Sequence, residues 1–385
     1  LKREDRYSSR FLPWRKEDRC RRSYSELNQK EFAEDMNTHT NGSAINRRSF
    51  LKAAGLVSGA VLLSSCGTAN QVATVDVAKA EADHSKMGAP GSTPASTAVA
   101  VKIDEFKTYD ATLPAIPTSP TRQVTWESSD KPLYIAKDIG FQAWTFGGTV
   151  PGPILALNEG DDVQFAITNK SVSPHSIDFH AAQTPPSKNY IAIPPQTTLK
   201  FNWKAQYPGC FMYHCGTPYV IHHMAMGMYG ATIVKPKTGL RPADREYVLV
   251  QSEFYVTDPV DGIVQTDLKK ALSGNPDYVA FNGYSEQYKE TPLTAKVGEL
   301  IRMWVMNAGP SHFSAFHVIG TIFEAAYQDG NPANKMVGMQ TVNVYPGGGM
   351  MVEFRIPEAG NYPFVTHSFA DASKGALGVL AVTNS

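Results

Sequence analysis

From about residue 105 to the C-terminus, apolar and polar residues alternate with a period of two in one segment after another. DDVQFAITN (161–169), LKFNW (199–203), REYVLVQSEFYV (245–256), ELIRMWVMN (299–307) and MMVEFRIP (350–357) all follow this rule. A strand sends successive side chains to opposite faces, so each run reads as a β-strand with one face on a core. Proline and glycine turns separate the runs, and no long stretch carries a helical period. The expected class is all-β, with short strands arranged in sandwiches or barrels.

The pattern occurs twice. LNEGDDVQFAITNKSVSPHSIDFH (157–180) is echoed by AKVGELIRMWVMNAGPSHFSAFH (295–317). Each copy runs glycine, acidic residue, strand, asparagine and short loop, then two histidines five apart: His175/His180 and His312/His317. Further on, YPGCFMYHC is matched by AGNYPFVTHS, and GMYGATIV by GALGVLAV. The body is thus predicted to be two homologous β-sandwiches, at 106–236 and 237–385. The copies differ in sulfur. Cys215 after His214 becomes Ser368 after His367, and Met228 becomes Ala376. A thiolate and a thioether are absent together while the histidines persist, as expected if only the first copy houses a sulfur-ligated metal.

The N-terminus reads differently. NRRSFLKAAGLVSGAVLLSSC (46–66) has the twin arginine Arg47–Arg48 and then an apolar run too short to span a bilayer. It resembles a twin-arginine export signal ending in a lipobox-like Leu63-Ser64-Ser65-Cys66, with Cys66 as a possible lipid anchor and ordinary cleavage near a chance cysteine as the alternative. Met36 looks like the natural start, which sets residues 1–35 aside. Residues 67–105, rich in Ala, Ser, Thr, Gly and Pro, are expected to form a disordered tether. Signal and tether imply an exported protein in the periplasm or cell envelope, anchored to the outer membrane if Cys66 is lipidated.

The 385 residues, 42% hydrophobic, suffice for two domains and an appendage. Lys+Arg and Asp+Glu both total 36, so no basic excess points to nucleic acid. Of the four cysteines, Cys20 and Cys66 precede the body. Cys210 and Cys215 sit an odd number apart on one strand and face opposite ways, a poor arrangement for a disulfide. Cys210 reads as a small core hydrophobe.

Strand parity also sorts the metal-ligating residues. Adjacent His214 and Cys215 must point to opposite faces, and His175 and His180 tend to diverge as well. Cys215 with one upstream histidine forms one set, and His214 with the other histidine forms a second. The first set, completed by a later histidine and a methionine, is the His₂Cys-thioether combination of a blue-copper electron-transfer centre. The second is all imidazole with an open position, suited to a catalytic metal. The peptide between His214 and Cys215 then joins the two metals covalently.

HSIDFH, YHC, HMAMGMYG, SAFHVIG and FVTHS, in that order and preceded by GTVPGPILALNEGD, resemble copper-containing nitrite reductase over about 110–385, especially its lipid-anchored subgroup. The resemblance implies two tandem cupredoxin-like Greek-key sandwiches and two coppers per subunit. Type 1 copper would be bound by His175, Cys215, His223 and Met228, the family's spacing selecting His223 over His222 and Met228 over Met224 or Met226. Type 2 copper would be bound by His180, His214 and His367, with His367 coming from a neighbouring subunit of a homotrimer. Asp178 and His317 would relay protons, and Ile319 would be the apolar residue that crowds the copper and shapes nitrite binding. Asp178, two residues before His180, shares its face, and histidine exchanges protons near neutral pH. Nitrite is the implied substrate and a cupredoxin or cytochrome c the implied electron donor. His312 aligns with His175 but lacks sulfur partners and reads as a relic, hydrogen-bonded or solvent-facing; His222 reads as a surface or interface residue.

Two other functions remain on the sequence. A two-domain multicopper oxidase needs His-x-His pairs and a His-Cys-His, and the chain has neither: Cys215 is followed by Gly216. A non-enzymatic cupredoxin electron carrier accounts for the sulfur set but leaves Asp178, His214, His317 and His367 without a purpose. No C-x-x-C-H haem motif occurs.

Overall fold

The computed structural model describes residues 103–384; the segment read as an export signal, Cys66 and the part of the expected tether before residue 103 lie outside them. The first half forms β1 (Thr121–Ala136), β2 (Ile139–Phe146), β3 (Leu155–Asn158), β4 (Asp162–Asn169), β5 (Asp178–Phe179), β6 (Thr198–Lys204), β7 (Gly209–His214) and β8 (Tyr229–Lys235). The second forms β9 (Arg245–Phe254), β10 (Ile263–Val264), β11 (Tyr278–Phe281), β12 (Leu293–Lys296), β13 (Ile301–Gly309) and β14 (Ser314–Val318). It continues with β15 (Ala325–Gln328), β16 (Lys335–Met336), β17 (Val342–Val344), β18 (Gly349–Phe354), β19 (Gly360–Thr366) and β20 (Leu377–Thr383). Among the described residues the longest helix is Val220–Ala225, at 6 residues.

These strands make two cupredoxin-like Greek-key sandwiches whose sheets correspond strand for strand. β3-β8-β7-β5 in the first is matched by β12-β20-β19-β14 in the second, which adds β17. β2-β1-β4-β6 is matched by β11-β9-β13-β18. Even the parallel pairs recur, β1 with β4 and β9 with β13. The chain also crosses between the halves. β10 adds to the edge of β2, and Thr112 bridges to Tyr247 of the second sandwich.

Phe146, Phe165, Phe179, Trp203 and Tyr213 fill the first core, and Tyr247, Phe281, Phe316, Phe354 and Phe364 the second. A third apolar cluster, including Met212, Tyr229, Val248, Trp304 and Met351, joins the sandwiches. Gly349 permits this approach, because a Cβ there would fall 2.0 Å from the Cys210 carbonyl oxygen. β13 and β18 are consequently buried on both faces, not half-exposed as alternation suggests. Their charged positions survive burial by pairing: Arg302 Nε donates to Glu353 Oε1 at 2.8 Å, and Arg302 also meets Glu246 at 3.3 Å.

Candidate metal centres

The first centre grows from the β4–β5 and β7–β8 connections of the first sandwich. Asn169 ends β4 and ties the following loop by donating to the carbonyls of Ser173 and Ile193, both at 2.8 Å. That loop presents His175. Cys215 follows β7, His223 lies on the helix Val220–Ala225, and Met228 precedes β8. His175 Nδ1 and His223 Nδ1 stand 3.2 Å apart, and Cys215 Sγ is 3.2 Å from His223 Nδ1. Cys215 N–H bonds the Met228 carbonyl at 3.1 Å, and Met228 packs in the same core cluster as Cys215. Met224 and Met226 instead join the inter-sandwich cluster, where Met226 sulfur accepts from Thr266 Oγ1.

Burial lowers the His175 pKa to about 4. Burial, then the nearby His175 and His222, lower that of His223 to about 3. Both imidazoles are therefore neutral at physiological pH, the state that ligates a metal. Cys215 Sγ accepts the Ser176 N–H at 3.3 Å, a bond of the kind that tunes a copper–thiolate site. Two imidazole nitrogens and one sulfur converge in a dry pocket beside a methionine, and that donor set fits copper.

Trp144, on β2, was not singled out by the sequence. Its ring lies 5.0 Å from that of His175, 4.8 Å from His223 and 5.1 Å from half-exposed His222. A half-buried strand tryptophan carries no signal of this role, because the contact joins distant segments.

The second cluster occupies the outer face of the β5–β7 pair. Asp178 is the direct cross-strand partner of His214, so their side chains share a face. His214 Nε2 lies 3.9 Å from Asp178 Oδ2, and the His180 ring is 5.2 Å from the His214 ring. His214 Nδ1–H donates to the Cys215 carbonyl at 2.8 Å, which leaves the Nε2 lone pair facing Asp178 and His180. His214 and Cys215 thus enter different donor groups, as do His175 and His180.

His317 and His367 lie on the corresponding face of the second sandwich, on β14 and just after β19. Their rings are also 5.2 Å apart. His317 Nδ1–H donates to the Gln340 carbonyl, leaving Nε2 outward. Within the chain His367 does not join the Asp178–His180–His214 group. Ala315 stands where the first copy has Asp178. Exposed Phe313, Ile319 and Phe369 flank this histidine pair, with the Phe369 ring 5.0 Å from that of His367.

Cys210 is buried at the sandwich interface, where burial pushes its thiol pKa up; Cys210 and Cys215 are both free. Of the two expectations for His312 the hydrogen-bonded one holds: both ring nitrogens have partners.

A family model described as multicopper oxidase matches residues 130–239. Copper-containing nitrite reductase from Neisseria gonorrhoeae is 36% identical over 323 residues, covering 76% of this chain and 81% of that protein. The chain belongs to the copper-containing nitrite reductases. The same-named protein of Neisseria meningitidis serogroup A is 38% identical over 270 residues, 68% of this chain and 69% of that protein. The solved copper nitrite reductase from Nitrosomonas europaea superposes with a TM-score of 0.65 at 36% identity, covering 69% of this chain and 94% of that one. Kinship to multicopper oxidases is fold kinship for a nitrite reductase of two cupredoxin sandwiches, and does not favour the oxidase reading.

Proposed function

We propose that this chain reduces nitrite to nitric oxide and water, in a homotrimer with two coppers per subunit. The separation of adjacent His214 and Cys215 into two donor groups carries the reading. His175, Cys215, His223 and Met228 would hold the type 1 copper; His180 and His214, with His367 of a neighbouring subunit, would hold the type 2 copper. When bound, the first copper supplies reversible one-electron transfer and the second a Lewis acid for nitrite.

The remaining work belongs to side chains. The reaction takes one electron and two protons: the N–O bond of nitrite breaks and the departing oxygen leaves as water. Cys215 and His214 supply an unbroken covalent path between the two donor groups. Asp178, 3.9 Å from His214 Nε2, would hold a proton against a nitrite oxygen. His317, braced through Nδ1 on Gln340, would serve from the neighbouring subunit with its outward Nε2. Ile319, 43% exposed just past the end of the same strand, would crowd the substrate once the subunits meet.

Symmetry of the tandem fold supports the trimer. Each sandwich offers one histidine pair on equivalent strands with equal ring spacing, so a ring of subunits brings the first pair of one against the second of the next. The exposed Phe313 and Phe369 favour such cover. A small electron-transfer protein, cupredoxin or cytochrome c, would deliver the electron. The twin-arginine segment and Cys66 support export to the periplasm or cell envelope, with a lipid anchor at Cys66.

Anaerobic nitrite reduction with a dye donor, wild type against His180→Ala, tests the proposal. Loss of turnover with the type 1 absorption intact supports it, and unchanged turnover contradicts it. Copper content separates the other readings, at two per subunit for the reductase, one for a carrier and four for an oxidase.

A further inference from the structure

The second sandwich keeps a counterpart of the type 1 set, closed by hydrogen bonds instead of a metal. Aligning GALG with GMYG sets Ala376 against Met228, and five residues earlier in each copy sets Asp371 against His223. Ser368 corresponds to Cys215 and His312 to His175. These positions converge again at the equivalent end of the sheet. His312 Nδ1 lies 2.9 Å from Asp371 Oδ1, where the first sandwich sets His175 Nδ1 3.2 Å from His223 Nδ1. Ser368 Oγ donates to Asp371 Oδ2 at 2.7 Å, in place of the Cys215–His223 approach. Asn307 braces the His312 loop through the carbonyls of His312 and Val344, as Asn169 braces the His175 loop.

The chemistry of this closure is determined by its partners. His312 Nε2 meets the Gly274 carbonyl at 2.8 Å, which can only accept, so Nε2 carries a proton. Nδ1 faces a carboxylate that is 1% exposed. Glu253, also buried, accepts the His312 backbone N–H at 2.7 Å and the Tyr255 hydroxyl. Burial opposes a charge on His312, yet the Asp371 hydrogen bond and the Glu253 charge raise its pKa overall. Both imidazole nitrogens are committed, and the His312, Asp371 and Ser368 side chains form a closed clamp.

The clamp acts on the residue next door. In the first sandwich His214 precedes Cys215; in the second His367 precedes Ser368. The Ser368 side chain bonds Asp371, its carbonyl accepts the Asp371 N–H at 2.8 Å, and its own N–H bonds Thr366 Oγ1. His367 itself is exposed, its backbone N–H held by the Ala315 carbonyl. We propose that His312, Asp371 and Ser368 are positioning residues that hold His367 in ligating geometry, doing by hydrogen bonds what a bound metal does for His214. This rests on the reading of His367 as a type 2 ligand.

The test is competitive copper titration of the full-length protein, followed by the type 2 EPR signal, with the type 1 absorption as a control for folding. Asp371→Ala and His312→Leu are expected to weaken type 2 copper binding roughly 10–100-fold and to broaden its signal, with the type 1 band unchanged. Asp371→Asn, whose amide can donate to His312 Nδ1 and accept from Ser368, is expected to recover most of the affinity. Wild-type affinity and spectrum in Asp371→Ala and His312→Leu overturn the clamp. His367→Ala separates the two ideas: if it keeps type 2 copper, the ligand assignment has failed, whatever the clamp variants do. Should Asp371→Ala or His312→Leu lose the type 1 band through misfolding, Ser368→Ala decides, because it cuts one half-exposed hydrogen bond. Weakened type 2 binding in Ser368→Ala upholds the clamp, and unchanged binding overturns it.

Discussion

His175 and His223 point Nδ1 at Nδ1 across 3.2 Å inside a sealed pocket. Two lone pairs so placed are at ease only around a shared cation or with a proton on one of them. Both histidines titrate below their ordinary 6.5, at about 4 and about 3. The unfolded chain therefore binds more protons than the folded one as pH falls below 6.5, and stability drops through that window. In copper-free protein the His175 displacement alone corresponds to about 3 kcal/mol once pH lies below its folded value. Urea midpoints of copper-free protein should fall steadily from pH 7 to pH 4, while the copper-loaded protein changes less. A flat profile for the copper-free protein would remove the buried neutral pair from the account.

Asp178 faces His214 across one strand pair, so Asp178→Asn changes proton delivery and little else. Turnover should drop by roughly 100-fold or more while copper content and the type 1 band stay as in wild type. Steady-state nitrite reduction checks this, and a wild-type rate would strip Asp178 of its role.

If His180 and His367 serve one site from two subunits, His180→Ala and His367→Ala are each inactive but complementary. Co-refolding the two in equal amounts should restore roughly a quarter of wild-type turnover, since that share of randomly formed interfaces carries both intact residues. No gain on mixing would place the two histidines outside a common site.

Gly349 sits where β18 meets β7, with space for a hydrogen only. Gly349→Ala should cost about 1–3 kcal/mol and loosen the two sandwiches from one another. Thermal unfolding should show a lower Tm, and an unchanged Tm would mean that the interface yields freely.

Strand periodicity makes much of this molecule legible in its sequence. β4 alternates in burial as DDVQFAITN suggests. β9 does not, because its outer face meets the other sandwich; Glu246 and Arg302 look solvent-facing in sequence only because alternation cannot say which polar face is covered. Parity alone separates His214 from Cys215, since strand geometry is local. Trp144 and Asp371 escaped because their roles depend on contacts across sheets and between distant loops. His312 was visible through the repeat, but its partner lies on a helix after a shortened loop, where simple spacing from Ser368 misaligns it.

Copper counts and EPR spectra of His214→Ala and Cys215→Ala, loaded with copper, test the central relationship most directly. Each variant should lose one copper per subunit and one signal, type 2 in the first and type 1 in the second. Loss of the same signal by both, or of both signals by either, would contradict it.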